Sequence, residues 1–150
     1  MYSVSLRIVN DTMEAEDVMQ EAFLSAFKKI KSYKGEVSFG AWLKRIVINR
    51  SLDYLKKRKV QFEEMNENIA HMEEEPKPTG EIDVNTLKWA IRRLSDGYRV
   101  VLSLYLLEGY DHNEISQILG ISNSASRTQL LRAKNKLREI LKGKEVLFYN

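Results

Sequence analysis

The segment Asp111–Leu141, DHNEISQILGISNSASRTQLLRAKNKLREIL, decides how the rest of the chain is read. It divides into a short helix, a turn of about three residues and a longer basic helix, the pattern of a helix-turn-helix. Asp111 can cap the first helix with Glu114 in the reciprocal position of a capping box, and Ile115, Ile118 and Leu119 supply its apolar face. Gly120 is the stop signal. Ser122 or Asn123 can cap the second helix, where Leu130, Ala133, Leu137, Ile140 and Leu141 recur at helical steps and face inward. At about 100° per residue, Ser124, Arg127, Thr128, Leu131, Arg132 and Asn135 then point away from the core, with Gln129 on the flank. Hydrogen-bond donors and cations at the start of an outward helix face are what reading the DNA major groove requires.

The 150 residues are 43% hydrophobic, which is enough for one globular domain or two small ones. A net charge of +3 permits a polyanionic partner without demanding one, because the 30% of charged residues are of mixed sign. With 0 Cys the chain has no disulfide, thiolate nucleophile or thiolate metal site. Its two histidines, His71 and His112, have no second ligand at metal-binding spacing, and no glycine-rich phosphate loop is present. No cofactor, metal or catalytic residue is therefore expected. Met1-Tyr2-Ser3 does not begin a basic-then-apolar leader and no apolar run reaches membrane-spanning length, so a cytoplasmic protein without membrane insertion is expected.

Only 2 prolines and 7 glycines interrupt an apolar spacing that is helical almost throughout, which predicts an all-α fold. A first helical piece, with Leu6, Ile8 and Val9, ends near Asn10. Asp11 and Glu14 can cap a helix from about Met13 to Ser32 with Val18, Ala22, Phe23, Ala26, Phe27 and Ile30 as its buried stripe. After the loop SYKGEVS, Ser38 can cap a third helix, Phe39 to about Lys59.

This third helix has an apolar face, Phe39, Leu43, Ile46, Val47 and Tyr54, and a second row at helical spacing made of Trp42, Arg45, Asn49, Asp53 and Lys56. An aromatic ring beside cations and an amide suits an unpaired base, since stacking contributes ~1 to 3 kcal/mol per base in single-strand binding. Lys56, Lys57, Arg58 and Lys59 can follow a phosphate backbone. The composition then turns acidic, with Glu63, Glu64, Glu67, Glu73, Glu74 and Glu75 around Pro76, Pro78 and Gly80, as expected of a flexible linker. Beyond it Leu87, Ala90, Ile91 and Leu94 mark a helix, Ser95-Asp96-Gly97 a turn, and Val101, Leu102, Tyr105 and Leu106 another helix. Two small helical domains result: 1–59, a linker 60–80, and 81–142 containing the helix-turn-helix, followed by a tail, 143–150.

These residues resemble a bacterial RNA polymerase sigma factor of the extracytoplasmic-function (ECF) group. Ala15–Lys59, with its acidic-Asp-x-x-Gln-x-x-Phe pattern and Phe-x-x-Trp-Leu-x-x-Ile-x-x-Asn segment, is similar to region 2 of that family. Leu94–Leu141, with LSDGYR, EGYDHNEIS and ILGIS, is similar to region 4. From the resemblance the N-terminus is expected to be short by one helix relative to the family, and Ala125, Ser126 and Gln129 depart from its usual recognition-helix residues.

The resemblance implies a transcription initiation factor with core RNA polymerase and promoter DNA as partners, and an anti-sigma factor as regulator. Asp17, Gln20, Glu21 and Phe23 would dock on the polymerase clamp. Trp42, Arg45, Asn49 and Lys56 would meet the unpaired −10 strand, beside the loop 34–38. Ser124, Arg127, Thr128, Gln129, Leu131 and Arg132 would read the −35 duplex, while the helices between 84 and 107 hold the polymerase flap. The acidic connector would thread into the polymerase as an RNA-like strand. The alternative is a two-domain helix-turn-helix regulator acting without polymerase. The row from Trp42 to Lys56 argues against it, because a duplex-only regulator has no use for a single-strand platform.

Overall fold

The computed structural model describes residues 1–57 and 83–149, with 144–149 as backbone alone. The expected linker, 60–80, with its glutamates and His71, lies outside the described residues. The chain forms two compact units. Among the described residues every regular element is helical, in agreement with the all-α expectation.

The first unit contains α1 (Tyr2–Val9), α2 (Thr12–Lys29), a single 3-10 turn (Ile30–Ser32) and α3 (Phe39–Lys57). Asn10 closes α1 in the left-handed region at φ 58°, a conformation open to asparagine at little cost. Asp11 Oδ1 then accepts from the Glu14 N–H at 2.9 Å and starts α2 where the sequence placed a cap. All three helices pack pairwise. The buried apolar residues are Val4, Ile8 and Val9 of α1, Ala15, Val18, Ala22 and Ala26 of α2, and Val47, Ile48, Leu52 and Leu55 of α3. The alanines bring the helix backbones close, and the fully buried Ser51 hydroxyl lies within donating distance of the Val47 carbonyl, at 2.8 Å, and of the fully buried Ser5 Oγ, at 3.1 Å.

This core corrects two expected stripes. On α2, Val18, Ala22 and Ala26 are buried, joined by Ala15 and Ser25, but Phe23, Phe27 and Ile30 are 50%, 79% and 49% exposed. The interface is narrow enough to be filled by small residues, and the two phenylalanines fall about one residue, ~100°, past its edge. On α3 the buried set is Val47, Ile48, Ser51, Leu52 and Leu55, whereas Leu43, Ile46 and Tyr54 are half-buried and Phe39 is 46% exposed. The first two turns of α3 thus project past the three-helix core.

The second unit contains α4 (Val84–Arg92), α5 (Asp96–Leu102, continued by a π-helical turn, Ser103–Leu107), α6 (His112–Leu119) and α7 (Asn123–Tyr149). Ile91, Leu94, Val101, Leu102, Leu130 and Ala133 form its core, with Leu87, Tyr98, Tyr105, Leu119, Leu137 and Ile140 packed against it. Ser95-Asp96-Gly97, expected as a turn, instead starts α5: Ser95 is its N-cap position and Asp96 lies in the first turn. Asp96 has a second role. It pairs with Arg99, which is 1% exposed and also donates to the Leu94 carbonyl at 3.1 Å, so one guanidinium ties the start of α5 to the end of α4. The segment expected as a separate tail from 143 is continuous with α7 as far as Tyr149.

Candidate nucleic-acid interface

In the first unit the projecting start of α3 is held by aromatic packing. Ser38 Oγ accepts from the Ala41 N–H at 3.2 Å and caps the helix as expected. Tyr33, Phe39 and Trp42 close a triangle with ring centroids 5.7, 5.3 and 5.6 Å apart, within the range of favourable ring pairs. The Tyr33 hydroxyl donates to the Val37 carbonyl, across a loop that turns at Gly35 with φ 76°. Trp42 is half-buried in this cluster; Arg45 is half-buried, and Asn49 and Lys56 are exposed. Tyr33 and Phe39, whose part is not visible in the spacing of α3 alone, pack against Trp42.

The outer surface of α2 carries the residues expected to dock. Asp17, Gln20, Glu21 and Phe23 are all exposed, and Leu24, Phe27 and Ile30, at 63%, 79% and 49% exposed, extend the apolar part of the same helix surface. Large apolar side chains this exposed form the kind of patch that partner surfaces cover. Tyr54 of α3 reaches Glu21 at 3.5 Å, and burial, followed by the Glu21 and Asp17 carboxylates, raises its phenol above the ordinary value.

In the second unit the helix-turn-helix is fixed by local bonds. Asp111 and Glu114 form the complete capping box, at 2.8 and 3.1 Å. Gly120 ends α6 at φ 68°, a left-handed position that suits glycine, and Ser122 Oγ, accepting from the Ala125 N–H at 3.0 Å, is the cap of α7. Of the two cap candidates Ser122 is the one used, and Asn123 is the first helical residue. Ala125 and Ser126 are buried against the unit.

At the start of α7, Ser124 and Arg127 are exposed and Thr128, Leu131 and Arg132 are half-buried, all at the outer surface. Gln129 is a correction: it is 1% exposed and cannot present its amide to a duplex. It lies between buried Ser126 and buried Leu130 and Ala133, on the inward side of the helix. His112 of α6 stacks on Tyr105 and bonds Ser126 Oγ through Nδ1 at 2.8 Å. Its proton affinity is lowered, chiefly by burial and then by Arg127 and Lys134, with Asp111 opposing.

The chain matches two sequence families in this order: Sigma-70 region 2 over residues 1–60 and Sigma-70 region 4 over residues 87–137. It is 29% identical to the ECF RNA polymerase sigma factor SigW of Bacillus subtilis, over 95% of this chain and 83% of that protein. It is 28% identical to SigM of the same organism, over 93% of this chain and 87% of that protein. The chain belongs to the ECF sigma factors. As such it is a transcription initiation factor that binds core RNA polymerase and brings it to specific promoters. A regulator working on duplex DNA without polymerase is not favoured, because region 2 accompanies region 4 in one chain. In fold this sigma factor is similar to RpoE of Bartonella quintana, solved with the anti-sigma factor NepR, at TM-score 0.65 and 24% identity over 94% of this chain and 89% of that one. It is also similar to CnrH, solved with the cytosolic domain of CnrY, at TM-score 0.55 and 22% identity over 95% of this chain and 80% of that one. Among the described residues no helix of this sigma factor is long and apolar enough to cross a membrane.

Proposed function

We propose that this sigma factor divides promoter opening between three surfaces. The outer face of α2, with Asp17, Gln20, Glu21 and Phe23 and extended by Leu24 and Phe27, docks on core polymerase. Trp42, Arg45, Asn49 and Lys56 of α3 receive the unpaired −10 strand, a base stacking on Trp42 while the cations follow phosphates. Ser124, Arg127, Thr128, Leu131 and Arg132 of α7 lie in the −35 major groove; Gln129, being buried, is left out. The working domains are 1–59 and 81–142, with 60–80 as the connector. The protein acts without catalysis of its own, in the cytoplasm, where polymerase and promoter DNA are found.

The observation that carries this reading is an aromatic, cationic and amide row on α3, held open by the Tyr33 and Phe39 rings, in the same chain as a capped helix-turn-helix. A duplex reader alone needs only the second. The complexes of the two structural relatives with NepR and CnrY support a further step in the same reading. An anti-sigma protein covers the exposed apolar surface of this factor while it is inactive. The test is selection of −35 duplexes from a randomised pool by holoenzyme, wild type against Arg127→Ala. Loss of preference at one base position supports α7 as the reader, and an unchanged selected sequence removes it.

A further inference from the structure

Arg127 is aimed by a relay that begins on the other helix of the helix-turn-helix. Asn113 Oδ1, on α6, accepts from Asn123 Nδ2 at 2.6 Å, and Asn123 Oδ1 accepts from Arg127 Nε at 2.7 Å. Both bonds are solvent-facing, where a hydrogen bond between side chains adds little to stability, and α7 already has its cap in Ser122. The relay is thus poorly explained as a device for folding. Its geometric effect is specific. Occupying Nε removes the side-on mode in which an arginine offers Nε and one terminal nitrogen, and leaves the end-on fork of the two terminal nitrogens, which matches O6 and N7 of guanine in the major groove.

Resting on the reading of α7 as the −35 reader, we propose that Asn113 and Asn123 are positioning residues that hold Arg127 as an end-on reader of a single guanine. The Asn123 amide is used at both ends: it accepts from the arginine through its oxygen and donates to Asn113 through its nitrogen. Without the relay Arg127 has several rotamers of similar energy, and a flexible guanidinium finds phosphates as readily as a base edge. The relay therefore sets discrimination between bases more than total affinity.

The experiment is competitive binding of holoenzyme to −35 duplexes that carry guanine or another base at each position in turn, at one fixed salt concentration. The chains compared are wild type, Arg127→Ala, Asn113→Ala, Asn123→Ala, Asn123→Asp, and each asparagine variant combined with Arg127→Ala. Arg127→Ala is expected to lose about 5- to 150-fold of preference for guanine at one position, the usual range for a base-reading arginine. Asn123→Ala is expected to lose roughly 3- to 10-fold at that same position and Asn113→Ala somewhat less, and neither should lower the preference further once Arg127 is alanine. Asn123→Asp keeps an acceptor for Nε and should retain most of the preference, although its charge weakens binding to every duplex. Because the readout is a ratio between duplexes, uniform weakening cancels. If Arg127→Ala changes no base preference, both the reading of α7 and the relay fall. If it does, but the asparagine variants keep the wild-type preference or lose affinity equally for all duplexes, the relay alone is overturned.

Discussion

His112 stacks on Tyr105 with ring centroids 4.7 Å apart and an interplanar angle of 22°, and its Nδ1 lies 2.8 Å from the hydroxyl of buried Ser126. One imidazole thus joins the end of α5, the start of α6 and the first turn of the recognition helix. Lys134 stands over the Tyr105 ring, 6.0 Å from its centroid. The groups around the imidazole are two cations, Arg127 and Lys134, and one carboxylate, Asp111.

This position makes the second unit sensitive to acid. The folded state holds His112 below its ordinary proton affinity, so as pH falls through the unfolded value of about 6.5 the unfolded chain takes up a proton before the folded one. Stability is then full above that pH and is lost on acidification until the lower folded value is passed. Urea unfolding of wild type and His112→Gln at pH 7.5 and pH 5.5 checks this. The expected result is a smaller acid loss in the variant; equal losses would show that His112 does not couple proton binding to folding.

The row on α3 separates melting from docking. Asn49 is exposed and Trp42 is half-buried among Tyr33 and Phe39, so Asn49→Ala should leave stability within about 0.5 kcal/mol, while Trp42→Ala should cost roughly 1 to 2 kcal/mol through lost ring contacts. Both should slow open-complex formation on duplex promoters, and both should be partly rescued on promoters already unpaired at the −10 element. Permanganate footprinting reads the opening, with circular dichroism as the folding control. Full opening by Asn49→Ala would remove it from the strand contact.

Phe27 gives a clean test of the α2 surface because it is 79% exposed. Phe27→Ala should change folding stability by no more than about 0.5 kcal/mol. Affinity for core polymerase should fall by ~1 to 4 kcal/mol if the ring enters a pocket on the partner, as an interface aromatic does. Fluorescence anisotropy of labelled chain titrated with core enzyme measures it. Unchanged affinity in Phe27→Ala and in Phe23→Ala would move the docking surface elsewhere.

What the sequence made legible was chiefly local. Asp11, Ser38 and the Asp111–Glu114 pair were readable as caps because a cap depends on residues within one turn, and each makes its bond. The inward stripe of α7 was readable for a similar reason, five apolar positions at helical steps on an otherwise polar helix. Burial that depends on a partner helix was less visible. Phe23 and Phe27 look like core by hydrophobicity, yet the α1–α2–α3 interface is closed by Ala15, Ala22 and Ala26, and backbone proximity is not written in apolar content. Gln129 failed in the opposite direction: a polar residue next to the outward face was assigned outward, whereas the helix turns it under beside Ser126. The relay from Asn113 to Arg127 spans 14 positions and depends on the angle between α6 and α7, which no short-range pattern reports.

The most direct test of the whole account is runoff transcription with purified core polymerase, with and without this chain, on a promoter recovered by selection with the holoenzyme. Each proposed DNA-binding surface is small and carries cations suited to phosphates, so the free protein should bind that promoter weakly and lose affinity steeply with salt. Core enzyme together with the chain should give a transcript from one defined start, and Arg127→Ala and Asn49→Ala should each reduce it. Tight, sequence-specific binding by the chain alone, unchanged by core polymerase and accompanied by no transcript, would contradict the account.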